Sequence, residues 1–183
     1  MLTLRCTKRL MRHLAVRPAL DSPEARNADD GSQTLLGAWY ANLIDTAAGP
    51  MILCVNEHTR YPIPLVLDMQ VEDPTHALYT QLVWRIHEAM RSRAVEQATI
   101  RRVTDEYRGG LIVAPTASRS VLGTINDMGF QLDCRIAYKI EEGESIDLEA
   151  IEYRMSQTPI LPMKGTNPGK MLVERCQTAT ASQ

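Results

Sequence analysis

Apolar residues recur along this chain with two periods, one of two residues and one of three to four, and the switches between them predict an order of elements. LTLR reads as a short strand, followed by a helix from about Thr7 to Leu14 with Leu10 and Leu14 facing the core. TLLGAWYANLI is apolar enough for a buried strand starting near Thr34, and MILCVN is a second. TRYPIPLVLD predicts a third. Pro62 and Pro64 have no N–H to donate, which places its first half at a sheet edge or a bulge.

The clearest helix follows. Asp73 or Thr75 caps it, Pro74 suits its first turn, and Tyr79, Leu82, Val83, Ile86 and Met90 form one stripe that ends near Arg93. TIRRVTDEY fits neither period cleanly and is read as a short strand, and GGLIVAPT as a turn and another strand. From Ser118 to about Glu141, Val121, Leu122, Ile125, Met128, Leu132, Ile136 and Ile140 mark one face of a long helix. Gly123 and Gly129 each weaken it by about 1 kcal/mol relative to alanine, which implies close packing or a kink. Ser145 or Asp147 caps a last short helix over 147–156. Then come an extended Pro/Gly segment, a turn of helix at MLVERC and the tail QTATASQ, while the polar stretch 17–33 reads as a loop or insertion.

Links between the early strands are too short for helical crossovers. The expectation is therefore an α+β fold with a mostly antiparallel sheet of about five strands. Two longer helices and short terminal helices cover one face of it. Residues 1–160 form the domain, and 161–183 an extended C-terminal segment and flexible tail.

A net charge of -2 over 183 residues argues against wholesale attraction to nucleic acid or an anionic membrane. One Phe and two Trp argue against a stacking platform for single strands. Cys6, Cys54, Cys134 and Cys176 lie far apart, and neither they nor His13, His58, His76 and His87 have zinc-ligand spacing. These features predict reduced thiols, a cytoplasmic protein, and no metal or cofactor. No apolar run approaches the roughly 18–20 residues that span a bilayer. The basic start MLTLRCTKRLMRHLAVR resembles a transit peptide in composition, but the strand and helix account for it better.

Candidate chemistry gathers in a few polar interruptions. In SRSVLGTINDM, Ser118 or Ser120 can cap the helix, and Arg119 adds a cation beside the unpaired amides. A strand, a turn and a helix start of this kind can hold phosphate or carboxylate, or form a cap and nothing more. Asn126 and Asp127 border the apolar stripe, facing solvent or serving as an amide and a carboxylate at a site. Tyr40 and Asn42 share a strand face opposite Trp39. Asn56 and Glu57 end a strand, with His58 and Thr59 in the turn, so Glu57, His58 and Asp127 are the candidate proton-handling groups. There is no G-x-S-x-G, Walker A, H-E-x-x-H or dinucleotide fingerprint. Arg5, Lys8, Arg9, Arg12 and Arg17 form a basic start, Arg101 and Arg102 a basic pair, and Glu141, Glu142, Glu144, Asp147, Glu149 and Glu152 an acidic stretch, read as solvated faces or as one basic binding surface.

The combination LRCTKRL, LGAWYANL, LCVNEHT and SRSVLGTINDM resembles a bacterial domain family of unknown function, over roughly residues 2–141. The resemblance implies that these polar positions form a set, and it brings no activity. It also implies two departures: Ala38 stands where the pattern has an acid, and Met128-Gly129 where it has an aromatic. Two functions follow. One is a non-enzymatic interaction or regulatory module for a protein or nucleic-acid partner. The other is a small hydrolase of a phosphodiester or nucleotide, with its anion site at Arg119, Ser120 and the helix start; the sequence leaves open whether the protein is an enzyme.

Overall fold

The computed structural model describes residues 1–16, 34–66, 68, 70–160 and 166–178. The 17–33 loop or insertion, residues 161–165 of the Pro/Gly segment and the 179–183 end of the tail lie outside the described residues. In chain order the elements are β1 (Leu2–Cys6), α1 (Lys8–His13), β2 (Trp39–Thr46), β3 (Gly49–Asn56), β4 (Pro62–Leu65), α2 (Pro74–Arg91), α3 (Gln97–Tyr107), β5 (Leu111–Pro115), α4 (Arg119–Glu141), α5 (Leu148–Gln157) and α6 (Pro168–Thr178).

The α+β class holds, but the sheet is mixed and not mostly antiparallel. Its strand order is β4-β3-β2-β1-β5. β2, β3 and β4 form an antiparallel meander, while β1 runs parallel to both β2 and β5. The short early links dictate the meander alone. β1 is set between β2 and β5 by the longer connections through α1 and through α2 and α3, as parallel pairing requires. β4 lies at the edge, where the missing N–H groups of Pro62 and Pro64 are harmless.

Helices cover both faces, not one. Leu2, Leu4, Cys6, Trp39, Ala41, Ile52 and Cys54 meet α1, α2, α3 and α6 on one side. Tyr40, Leu53 and Val55 meet α4 and α5 on the other. All five residues of β1 are buried, as expected of a strand between parallel neighbours and covered on both sides. α4 approaches β2 closely at Gly129, where a Cβ would come within 2.9 Å of Ile44 Cδ1, whereas Gly123 faces open space.

Two segments differ from expectation. TIRRVTDEY lies within α3, because Thr99, Ile100, Val103 and Tyr107 fall on one buried helical face. The turn at MLVERC is part of α6, which begins at Pro168, accepts a first-turn bond from Lys170 N–H on Asn167 (2.8 Å), and buries Leu172 and Cys176. The strand anticipated from Thr34 starts at Trp39, because a turn at 34–37 ending on Gly37 (φ +74°) precedes it.

The four cysteines are free, with Cys6, Cys54 and Cys176 buried and Cys134 exposed. Burial pushes the Cys6 thiol up to about 12 and Cys176 to about 11, so these thiols are unreactive near neutral pH. Cys6 and Cys54 both pair with Ala41 across β2. They are thus two strand spacings apart, roughly 10 Å, which is too far for a disulfide.

Candidate functional site

Three of the polar segments meet at one end of the sheet, and Asn56 ties two of them together. It ends β3 fully buried. Its Nδ2 donates to the Leu36 carbonyl (2.8 Å) and to that of Ala38 (3.4 Å). Its Oδ1 accepts from the N–H groups of His58 (3.1 Å) and Thr59 (2.9 Å) and from the Thr59 hydroxyl (3.0 Å). The 34–38 segment is held further by Glu106, which accepts from Leu35 N–H at 2.7 Å, and by Arg175, whose Nε donates to the Leu35 carbonyl at 2.9 Å.

On this frame sits an acid–imidazole pair. Glu57 Oε1 accepts from Ala38 N–H at 2.8 Å and lies 3.4 Å from His58 Nε2. Gly37 makes the arrangement possible, since a Cβ there would fall 2.5 Å from the imidazole and 2.6 Å from Glu57 Oε1. Burial holds the His58 pKa below its ordinary value; Glu57 opposes this, and Arg175 and Arg60 reinforce it. The imidazole is therefore neutral near pH 7.

Arg60 closes the turn with a left-handed backbone (φ +58°), a conformation disfavoured for any residue that carries a Cβ. It is stabilised by donation from its N–H to the Asn56 carbonyl and from the Asn56 N–H to the Tyr61 carbonyl, both at 3.0 Å. The guanidinium donates through Nη2 to Ser120 Oγ at 3.3 Å, joining the third segment. Its Nη1 is shielded from solvent and meets no acceptor among the described residues. Burial lowers the Arg60 pKa while Tyr40 and Glu57 support its charge, and a guanidinium stays protonated throughout.

Tyr40 comes to the same place from β2. Its hydroxyl lies in the field of Arg5, Glu57 and the Ala117 and Ser118 backbone, and burial raises its pKa, so it remains a donor. Arg5, buried in β1, is in register with Tyr40 and donates through Nη1 to the Pro115 carbonyl at 3.3 Å. Arg119 is exposed in the first turn of α4. Arg5 acts on Tyr40, Arg60 on His58 and Arg175 on His58, while Glu57 is the one carboxylate that acts on Tyr40, His58 and Arg60, so cations outnumber acids around this turn.

The other candidates lie elsewhere or have local duties. Asn42 Oδ1 accepts from the Thr7 hydroxyl (2.7 Å), which orients the residue that caps α1. Asn126 and Asp127 are exposed on the outer side of α4. Asp127 and Ser120 border a hollow of about 370 Å³ with Pro159 and Ile160, away from the Glu57–His58 pair. The cap of α4 is Ser118, whose Oγ accepts from Val121 N–H at 3.3 Å; Ser120 is not the cap. Ser118→Ala is accordingly expected to destabilise by about 1 kcal/mol and Ser120→Ala by less than about 0.5, read from urea midpoints. Equal losses would remove the distinction. Among the described residues, no group of three or more His, Cys, Asp or Glu is placed to hold a metal ion.

The sequence pattern of a family described as Domain of unknown function (DUF6933) matches residues 3–171. The chain belongs to this family. No curated protein matches it. All the residues placed at or near the site in this subsection, except Arg175, fall inside the matched stretch. Among the described residues of this DUF6933 protein, no helix is long and apolar enough to cross a membrane.

Three contributors escaped the sequence reading. Gly37 was part of a segment read as strand, and its role rests on a distance to a residue 21 positions away in the chain. Arg5 looked like one charge of a basic start. Arg60 directly follows the N-E-H-T motif, and a cation closing a turn that ends on Asn-Glu-His-Thr was the available signal.

Proposed function

We propose that this DUF6933 protein is a non-enzymatic binding module that takes one anionic group of a protein partner between Arg60, Tyr40 and the start of α4. The observation that carries the reading is the Arg60 guanidinium, held by a strained backbone, with one nitrogen shielded and lacking an acceptor among the described residues, beside a helix start. A planar guanidinium fork suits a carboxylate or phosphate. A protein partner is favoured because the wider basic surface is interrupted. Arg5 is buried, Arg9 pairs with Asp45 (2.5 Å), and Arg102 pairs with Glu106 (3.3 Å). That leaves a localised site and not the continuous basic stripe that a phosphate backbone calls for.

Sulfate, phosphate, an acidic peptide and short RNA and DNA should be compared by thermal shift on wild type and Arg60→Ala. Stabilisation by sulfate and the peptide in wild type alone is expected. Because the His58 pKa is depressed, the ring gains its proton only below its ordinary value of 6.5. Acidification then adds a cation, so the sulfate shift grows as pH falls below about 6.5, and His58→Gln removes that growth. An equal sulfate shift in Arg60→Ala would overturn the site. Hydrolysis of a phosphodiester in the same samples, lost in His58→Gln, would replace the binding reading with the hydrolase, for which the neutral imidazole beside Glu57 is the supporting geometry.

A further inference from the structure

A second cavity, of about 450 Å³, opens between the C-terminal half of α4 and the start of α5, and shares no residue with the site above. Its size is ordinary for a small-molecule site, which typically occupies roughly 300–1,000 Å³. Ile151, 3% exposed, gives it an apolar wall, with the Tyr138 ring beside it. Both acids that border it are engaged. Glu144 is paired with Lys139, and the Asp147 carboxylate caps α5 by accepting from the N–H groups of Glu149 (2.9 Å) and Ala150 (3.0 Å).

The two remaining cations are not engaged in that way. Arg135 and Arg154 both line the cavity, and neither side chain makes a hydrogen bond or ion pair among the described residues. The Nε of Arg135 is, in addition, shielded from solvent without an acceptor. Arg154 acts on Glu144 only through space, behind the larger effect of Lys139, and donates no hydrogen bond to it. Two uncommitted guanidinium groups over an apolar wall specify a ligand with an acidic head and an apolar body.

We propose that this cavity binds a small organic acid, its carboxylate or sulfonate held by Arg135 and Arg154 and its apolar body lying on Ile151 and Tyr138. Cys134 borders the cavity and is exposed, unlike the other three cysteines, so it serves as a built-in reporter. The test uses 8-anilinonaphthalene-1-sulfonate as probe, followed by its fluorescence on the full chain. The titrations are made in an Arg60→Ala background, which removes the first anion site, and one probe should then bind per chain. Affinity should fall about tenfold when Arg135→Ala or Arg154→Ala is added, the loss expected when a charged donor is removed, and stay unchanged with Arg101→Ala, an exposed arginine that lines neither site. Arg154→Glu, at an exposed position where folding is not at stake, should weaken binding further. Saturating probe should also slow alkylation of Cys134 by iodoacetamide several-fold. Wild-type affinity in Arg154→Glu, or alkylation of Cys134 at the same rate with and without probe, would overturn the proposal.

Discussion

Glu152→Ala is expected to lower the free energy of unfolding by about 3–5 kcal/mol, the largest single loss we anticipate, measured by urea denaturation. Glu152 is 3% exposed, yet it sits on α5 facing α2 and the edge of the sheet. Its Oε2 accepts from Arg85 Nη2 at 2.5 Å and its Oε1 from the Tyr61 hydroxyl at 2.8 Å. Burial pushes the carboxyl above its ordinary value, while Arg85 and Tyr61 pull it back. Removing it leaves Arg85, only 11% exposed in its side chain, with the exposed Glu149 as its remaining partner, and strips the buried Tyr61 hydroxyl of its acceptor.

The expected loss reflects an orphaned charge more than an unusually strong pair. Taking two ions out of water offsets most of their attraction. Arg85→Met combined with Glu152→Leu should therefore recover most of the stability. A loss below about 1 kcal/mol in the single variant would show that solvent reaches Arg85 and that the pair behaves as a surface one. The network has a further consequence for architecture. With Arg93 Nη2 donating to Ser156 Oγ at 2.6 Å and lying over the Tyr61 ring, it fastens α5 along β4. That covers a sheet edge which would otherwise offer unpaired groups to another chain.

Asn56→Ala is expected to cost about 3 kcal/mol, because several buried groups lose their partners at once and each such orphan costs roughly 1–3 kcal/mol. The Thr59 N–H and hydroxyl and the His58 N–H lose an acceptor, and the Leu36 carbonyl loses a donor. Thr59 is 1% exposed, so water cannot readily substitute. The same change should erase the sulfate-induced thermal shift, since Asn56 sets the turn that carries Glu57, His58 and Arg60. Asn42→Ala, which removes one bond to Thr7, should cost about 1 kcal/mol and leave the shift intact. An Asn56→Ala protein that keeps both its stability and its sulfate response would separate the turn from the site.

Much of this molecule was legible along the chain, and particular residues show where legibility ended. Asp73 and the apolar stripes of α2 and α4, and the cap candidate Asp147 of α5, announced those helices, because caps and helical periods are local signals. α3 misled for an equally local reason. Thr, Ile, Val and Tyr in TIRRVTDEY favour a strand by propensity, yet Ile100 and Val103 dock on the core as neighbours on a helix face. α6 carried its signal in Asn167-Pro168, a cap followed by a first-turn proline, within a stretch whose Pro and Gly content suggested extended chain. At the site, Tyr40, Asn56, Glu57 and His58 stood out as polar interruptions of apolar runs. Arg5, Gly37 and Arg60 did not, because what they contribute is proximity.

The amino-acid sequence by itself determined the α+β class, most of the elements and their order, an edge or bulge for β4, and a pair of cap candidates for each of three helices. Each of these depends on residues within a few positions of one another, through alternation, helical spacing, a missing proline N–H or a side chain that satisfies a first-turn amide. Only the tertiary structure decided that β1 lies parallel between β2 and β5, that both faces of the sheet are covered, and that Glu152 is a buried ion rather than one of a row of surface acids. Strand pairing and the burial of charge depend on contacts between residues tens of positions apart, and no periodicity along the chain encodes them.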